Sequence, residues 1–152
     1  MKLKAIFLIF FLSVNSLYSQ AIFPHLELEY SHSIVMDASF SVVFYPSSDF
    51  QEKVTMTYKK DGEIVREQDI SRKKFDEIYN AALRIRAKDL SRNFKLILDG
   101  ATTRLIIGDG LNYITYSVEG LTSSAKNNSH RQLFKTVRLI LGTAGIKVPE
   151  LE

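Results

Sequence analysis

The feature that most constrains the fold is a period-two alternation of apolar and polar residues, which recurs in three segments of the first half of the chain. Successive side chains of a β-strand point to opposite faces, so this alternation predicts strands with one buried and one wet face. Lys60-Asp61-Gly62 predicts a tight turn after the third segment, because glycine takes a positive φ at little cost, and the chain is predicted to return from this turn as a fourth strand. These predicted strands cover residues 26–30, 40–44, 54–58 and 64–70.

The period changes at Ser71, where apolar residues begin to recur every three or four positions up to Ile85, as on one face of a helix. Ser71 is a predicted N-cap for this helix. Strands are then predicted over 94–98, 102–107 and 113–118, and a last helix over 133–144, ended by Gly142 and Gly145. This order predicts an α+β fold: a mainly antiparallel sheet of about six to seven strands with two amphipathic helices packed on one face.

The N-terminus is typical of a secretory signal peptide over residues 1–19. Two lysines precede an apolar run of eight residues, and a small residue, Ser19, lies at the expected cleavage site before Gln20. The run is too short to span a membrane, which takes about 20 residues. We therefore expect a periplasmic or secreted protein whose residues 20–152 form a single α+β domain, without a transmembrane segment after cleavage.

Charge and cysteine content exclude several classes of function. Without Lys2 and Lys4 of the signal, 18 of the 20 basic residues remain against 17 acidic ones. This balance provides no electrostatic basis for binding nucleic acid or an anionic membrane. The chain contains no cysteine, which excludes thiol nucleophiles and thiolate metal sites. We expect neither a metal nor another cofactor.

Residues able to support catalysis occur without the spacing that catalysis requires. The three histidines, His25, His32 and His130, form no i, i+4 pair of metal ligands and no His-Glu-x-x-His motif. Glu27 and Glu29 share a strand face about 7 Å apart, within the range of a glycosidase pair, but alternate acids are also typical of a wet face. Gly108-Asp109-Gly110 lacks the pattern of a calcium loop and predicts a turn. The sequence therefore predicts a non-catalytic protein.

Aromatic residues give the best indication of a binding site, because the chain has more of them than one small core needs. Tyr45, Tyr113 and Tyr116 lie at strand ends or on a predicted hairpin, where tyrosine buries a large area at low entropic cost. We expect these three to contact a partner, which we expect to be another protein that the chain binds or inhibits. Two alternatives stay open: an envelope protein that binds a small or lipidic ligand between sheet and helices, and a cryptic hydrolase.

The segment from Val54 to Ile146 resembles a group of small exported proteins of Bacteroidetes-type bacteria. The shared features are a strand that ends in a glycine turn at Gly62, a helix that begins at Ser71, a hairpin after Asp99-Gly100, and a terminal helix that ends in Ala144-Gly145-Ile146. The junction from Leu17 to Gln20 also resembles signal peptides of this group. The resemblance implies export and a fold style, and it implies no activity and no site residues.

Overall fold

Six strands and two α-helices make up the part of the chain that the structure, a computed structural model, describes. The described residues are 23–32, 39–49, 51–86, 100–109, 111–123 and 130–151. In chain order the elements are β1 (His25–His32), β2 (Phe40–Pro46), β3 (Lys53–Lys60), β4 (Glu63–Ser71), α1 (Arg72–Leu83), β5 (Ala101–Gly108), β6 (Tyr113–Glu119) and α2 (Arg131–Ala144), followed by a 3₁₀ turn over Pro149–Leu151.

The expected α+β class is confirmed by this architecture. The strands form one sheet in the order β4-β3-β2-β1-β5-β6, and every neighbouring pair is antiparallel. The connection that contains α1 carries the chain from the outer strand β4 across the sheet to the far side of β1, where β5 pairs with β1. Two expectations lie outside the described residues, namely the signal peptide over 1–19 and the strand over 94–98.

One face of the sheet packs against both helices and forms the core. Phe75 of α1 is fully buried, and its ring lies 5.6 Å from that of Phe44 in β2. Leu133 and Ile140 of α2 are fully buried in the same cluster. Each such side chain contributes about 1.5–3 kcal/mol through removal from water. The strands contribute Leu26, Leu28, Tyr30, Val42, Phe44, Val54, Met56, Ile70, Leu105 and Ile107 to this core.

Two local predictions are confirmed in atomic detail. Asp61 and Gly62 both have positive φ, 51° and 88°, as a two-residue hairpin turn requires. The Ser71 side chain accepts a hydrogen bond from the Lys74 N–H at 3.2 Å and so caps α1. The turn aligns β3 with β4, and the cap directs the chain from β4 onto the helical layer.

The end of the first helix differs from the sequence-based expectation, whereas the end of the second agrees with it except for the role of Gly142. The first helix ends at Leu83, because the N–H groups of Arg84 and Ile85 bond to carbonyls three residues back and tighten the last turn. Ile85 is buried, although it lies beyond the helix. In α2, Gly142 lies within the helix, and Gly145 alone provides the left-handed cap, with φ of 66°. No helix in the described ranges is long and apolar enough to cross a membrane.

Candidate functional site

The second face of the sheet, called the open face here, carries no helix among the described residues and bears two of the three tyrosines predicted to bind a partner. Tyr45 lies at the end of β2, and its side chain is 41% exposed. Tyr113 begins β6 and is 54% exposed. The two residues lie at the same end of the sheet.

Strand register places these tyrosines in one row. His25 of β1 pairs with Gly108 of β5, and Gly108 pairs with Tyr113 of β6. On its other side β1 pairs with β2, and the register that pairs Leu26 with Phe44 places His25 next to Tyr45 of β2. At about 4.8 Å per strand, the two tyrosine Cα atoms are about 14 Å apart with His25 between them. We call Tyr45, His25 and Tyr113 the tyrosine patch.

Gly108 makes room for the Tyr113 ring. A Cβ atom at this position would lie only 2.5 Å from Cδ1 of Tyr113 and 2.4 Å from the carbonyl oxygen of Asn112. The ring therefore lies directly over the glycine and meets the His25 ring edge-on, with centroids 5.2 Å apart. Tyr113 is thus exposed and held by its neighbours, as preorganised binding requires.

The turn beside the patch is held by Asp109. Its carboxylate accepts hydrogen bonds from the N–H groups of Asn112, at 2.8 Å, and Leu111, at 3.1 Å. These two donors hold the pKa of Asp109 below its ordinary value. The Asp109 N–H donates in turn to the Asn112 carbonyl at 3.1 Å. Leu111, at the tip of this turn, is 79% exposed and adds apolar surface next to Tyr113.

Tyr116 does not join the other two tyrosines. Its side chain points to the helix-bearing face, where it is partly buried and its hydroxyl donates to the Ile85 carbonyl at 3.1 Å. At the other end of the helical layer, the hydroxyl of Tyr79 in α1 donates a hydrogen bond to the Gly108 carbonyl. Burial, and secondarily the negative charge of Asp109, raises the pKa of Tyr79. Both hydroxyls connect the helical layer to the β5–β6 hairpin.

The opposite end of the open face contains a shallow polar depression of about 320 Å³. Arg104 and Glu29 line it and form an ion pair at 2.7 Å. The Ser39 hydroxyl donates to Asp61 at 2.7 Å on its rim. Glu29 and Arg104 therefore neutralise each other, and Asp61 is bonded to Ser39.

The candidate catalytic residues are not assembled into a known catalytic arrangement among the described residues. Glu27 and Glu29 do share the open face, but Glu29 is bound to Arg104. His25 lies 3.6 Å from Glu27 and contacts Tyr113, and it forms no hydrogen bond with a serine hydroxyl of the described part of the chain. His130 precedes α2 without capping it through its side chain. The described ranges contain no cluster of three or more His, Asp or Glu residues that could hold a metal.

Sequence reasoning missed two residues of the site. His25 has the same strand phase as Glu27 and Glu29, so its place on the wet face was readable from the alternation. The sequence predicts only a turn at Gly108, and nothing in it signals the role of this glycine under Tyr113.

No protein-family model matches the chain, and no curated protein is significantly similar to it.

Proposed function

We propose that the chain is an exported, non-catalytic binding module that holds another protein against the open face of its sheet. The tyrosine patch is the observation that carries the proposal. Tyr45 and Tyr113 are large, exposed and mounted on strands, and Tyr113 is held between Gly108 and His25. Aromatic anchors of this kind supply most of the binding energy in many protein interfaces.

The size of the open face also suits a protein partner. The six described strands span about 24 Å at 4.8 Å spacing, and their seven to nine residues extend about 25 Å along each strand. The product is about 600 Å² before side-chain relief is counted, which is comparable to the ~800 Å² that each partner buries in a standard interface.

Packing favours this function over a ligand held between sheet and helices. That site requires a large apolar cavity under α1. The inner face of α1 is instead closely packed, with Phe75 and Ile78 fully buried. The ring of Phe75 lies within 5.9 Å of those of Phe23, Phe44 and Tyr79, so aromatic side chains occupy this space.

The test is quantitative affinity capture from envelope and culture-supernatant fractions of the host. The baits are tagged residues 20–152 of the wild type, the double variant Tyr45→Ala/Tyr113→Ala, and the control Leu83→Ala. Leu83 is 58% exposed on α1, so the control also removes an exposed apolar side chain, but at the helical layer.

We expect one protein to be retained in stoichiometric amount by the wild type and by Leu83→Ala, and to be lost from the double variant. Equal retention by all three baits would refute a role for the tyrosine patch. Absence of any retained protein would refute the proposed function and favour a small-molecule ligand. Intact mass of the exported product tests the predicted cleavage after Ser19 independently.

A further inference from the structure

Among the described residues, the two outer strands of the sheet have free edges, and these edges differ in how well they are protected. Edge strands present unpaired N–H and C=O groups, and proteins protect them with charges and bulges. Outer strand β4 has both protections. It carries four charged residues among its nine, and a register irregularity lies opposite Tyr58 and Lys59. The charged residues of β4 are Glu63, Arg66, Glu67 and Asp69.

The other outer strand, β6, lacks such protection. Its only charged residue is Glu119 at the last position, and residues 113–118 consist of tyrosine, isoleucine, threonine, serine and valine. Most of these types favour strands. Ile114 lies near the start of the strand and is 58% exposed although it belongs to the helix-bearing face. Among the described residues, only β5 pairs with β6.

The ladder with β5 determines which backbone groups face the free edge. The Asp109 N–H bonds to the Asn112 carbonyl, and the Gly120 N–H bonds to the Ala101 carbonyl. Hydrogen-bonded pairs alternate with non-hydrogen-bonded pairs along an antiparallel ladder. The backbone groups that bond to β5 are therefore those of Ile114, Tyr116 and Val118. The backbone groups of four other residues therefore point outward, namely those of Tyr113, Thr115, Ser117 and Glu119.

We infer that β6 pairs in antiparallel fashion with β6 of a second copy of this chain, about a two-fold axis at Tyr116. In this register Thr115 lies opposite Ser117 of the second copy, and Tyr113 lies opposite its Glu119. All four outward residues of each strand then belong to hydrogen-bonded pairs. The two residues of such a pair exchange two hydrogen bonds, so the four pairs give eight main-chain hydrogen bonds. Registers centred on Thr115 or Ser117 leave one of the four outward residues of each strand unpaired and give six main-chain hydrogen bonds.

Side-chain matching favours the same register. On the helix-bearing face, Ile114 lies opposite Val118 of the second copy, and Tyr116 lies opposite itself. Cross-strand pairs of β-branched and aromatic residues are favourable, and no like charges lie opposite each other. Pairing thus covers the exposed Ile114 and joins two six-stranded sheets into one of twelve, with both open faces on the same side. This inference does not rest on the proposed binding function.

A charge series at the edge tests the inference. The full-length chain is expressed in a bacterium that can export it, and the mass in solution is measured by light scattering after size-exclusion chromatography. We expect the wild type at twice the chain mass, Thr115→Lys/Ser117→Lys at the single mass, and Thr115→Lys/Ser117→Glu again at twice the mass. The two lysines face each other across the axis in the first variant, whereas lysine faces glutamate in the second.

A cross-linking experiment tests the register without depending on charge. The chain has no cysteine, so Thr115→Cys/Ser117→Cys introduces the only thiols. Opposed residues in a hydrogen-bonded pair have Cα atoms about 5.5 Å apart, which suits a disulfide. Residues two apart on one strand have nearly parallel side chains, so their Cβ atoms stay about 6.5 Å apart, well beyond the ~3.8 Å of a disulfide. We expect a covalent dimer after oxidation. The matched control, Glu67→Cys/Asp69→Cys on the β4 edge, should give none.

Four outcomes would overturn the inference. These are a monomeric wild type at about 100 µM, a dimer that survives the double-lysine substitution, a dimer lost in both charge variants, and cross-linking that is equal at the two edges. Recovery of a tightly bound protein other than this chain at the β6 edge would assign the edge to a different partner and would also overturn it.

Discussion

Substitution of Gly108 by alanine tests directly how the fold positions the tyrosine patch. The added Cβ would lie 2.4 Å from the Asn112 carbonyl oxygen, and real Cβ atoms essentially never approach closer than 3.0 Å. Asn112 must therefore shift by about 0.6 Å, and the Tyr113 ring must move away from its present place beside His25.

The expected loss of stability follows from the hydrogen bonds that hold Asn112 in place. Its carbonyl accepts from the Asp109 N–H, and its own N–H and that of Leu111 donate to the Asp109 carboxylate. Weakening these hydrogen bonds, at about 1 kcal/mol each, together with overpacking predicts a loss of about 1–3 kcal/mol in the free energy of unfolding.

Gly142→Ala is the matched control. It makes the same substitution at an exposed helical position where the new Cβ meets nothing within 4 Å. It should stabilise the protein by about 0.5–1 kcal/mol, because alanine loses less backbone entropy on folding than glycine. Urea unfolding followed by circular dichroism should give midpoints that differ by roughly 1 M, at a slope of about 1–3 kcal/mol/M. Equal midpoints for the two variants would refute the close approach at Gly108.

Three further predictions concern the cap, the turn and the helix-facing tyrosine. Ser71→Ala should lower the free energy of unfolding by about 1 kcal/mol through loss of the cap to Lys74, and Ser71→Asp should restore it in the same urea titration. Asp109→Asn should destabilise the protein near neutral pH. Because the folded-state pKa of Asp109 is depressed, its contribution is present above the ordinary value of 3.8 and is lost as the pH falls through the folded-state pKa. The difference in free energy of unfolding between wild type and variant, measured by urea unfolding across the acid range, should therefore vanish at low pH. A difference that stays constant with pH would contradict this. Tyr116→Phe should cost about 0.5–1.5 kcal/mol through loss of the hydrogen bond to Ile85, and partner capture should be unchanged.

Periodicity was sufficient to predict most of the fold. Alternation located the strands to within a few residues, and Gly62 and Ser71 located a turn and a cap, because these features depend on neighbouring residues. The end of the first helix was not predictable in this way. Ile85 continues the helical period, but it is buried beyond a tightened last turn instead.

The arrangement of the site was only partly predictable. Tyr113 and Tyr116 are three residues apart on one strand, so period two alone places them on opposite faces. That Tyr45 and Tyr113 share a row depends on β5 pairing with β1, which is a long-range contact that no local pattern encodes. The close approach at Gly108 depends on the register of the β5–β6 hairpin, which brings Asn112 and Tyr113 over the glycine.

Binding affinity for the captured partner tests the central claim most directly. Titration calorimetry would compare wild type, Tyr45→Ala/Tyr113→Ala and Tyr116→Phe. A hot-spot loss of about 2 kcal/mol corresponds to about a 30-fold rise in Kd, so the double variant should bind at least that much more weakly. Tyr116→Phe should bind as the wild type does, because its side chain lies on the helical side of the sheet. Unchanged affinity in the double variant, or an equal loss in Tyr116→Phe, would contradict binding through the tyrosine patch.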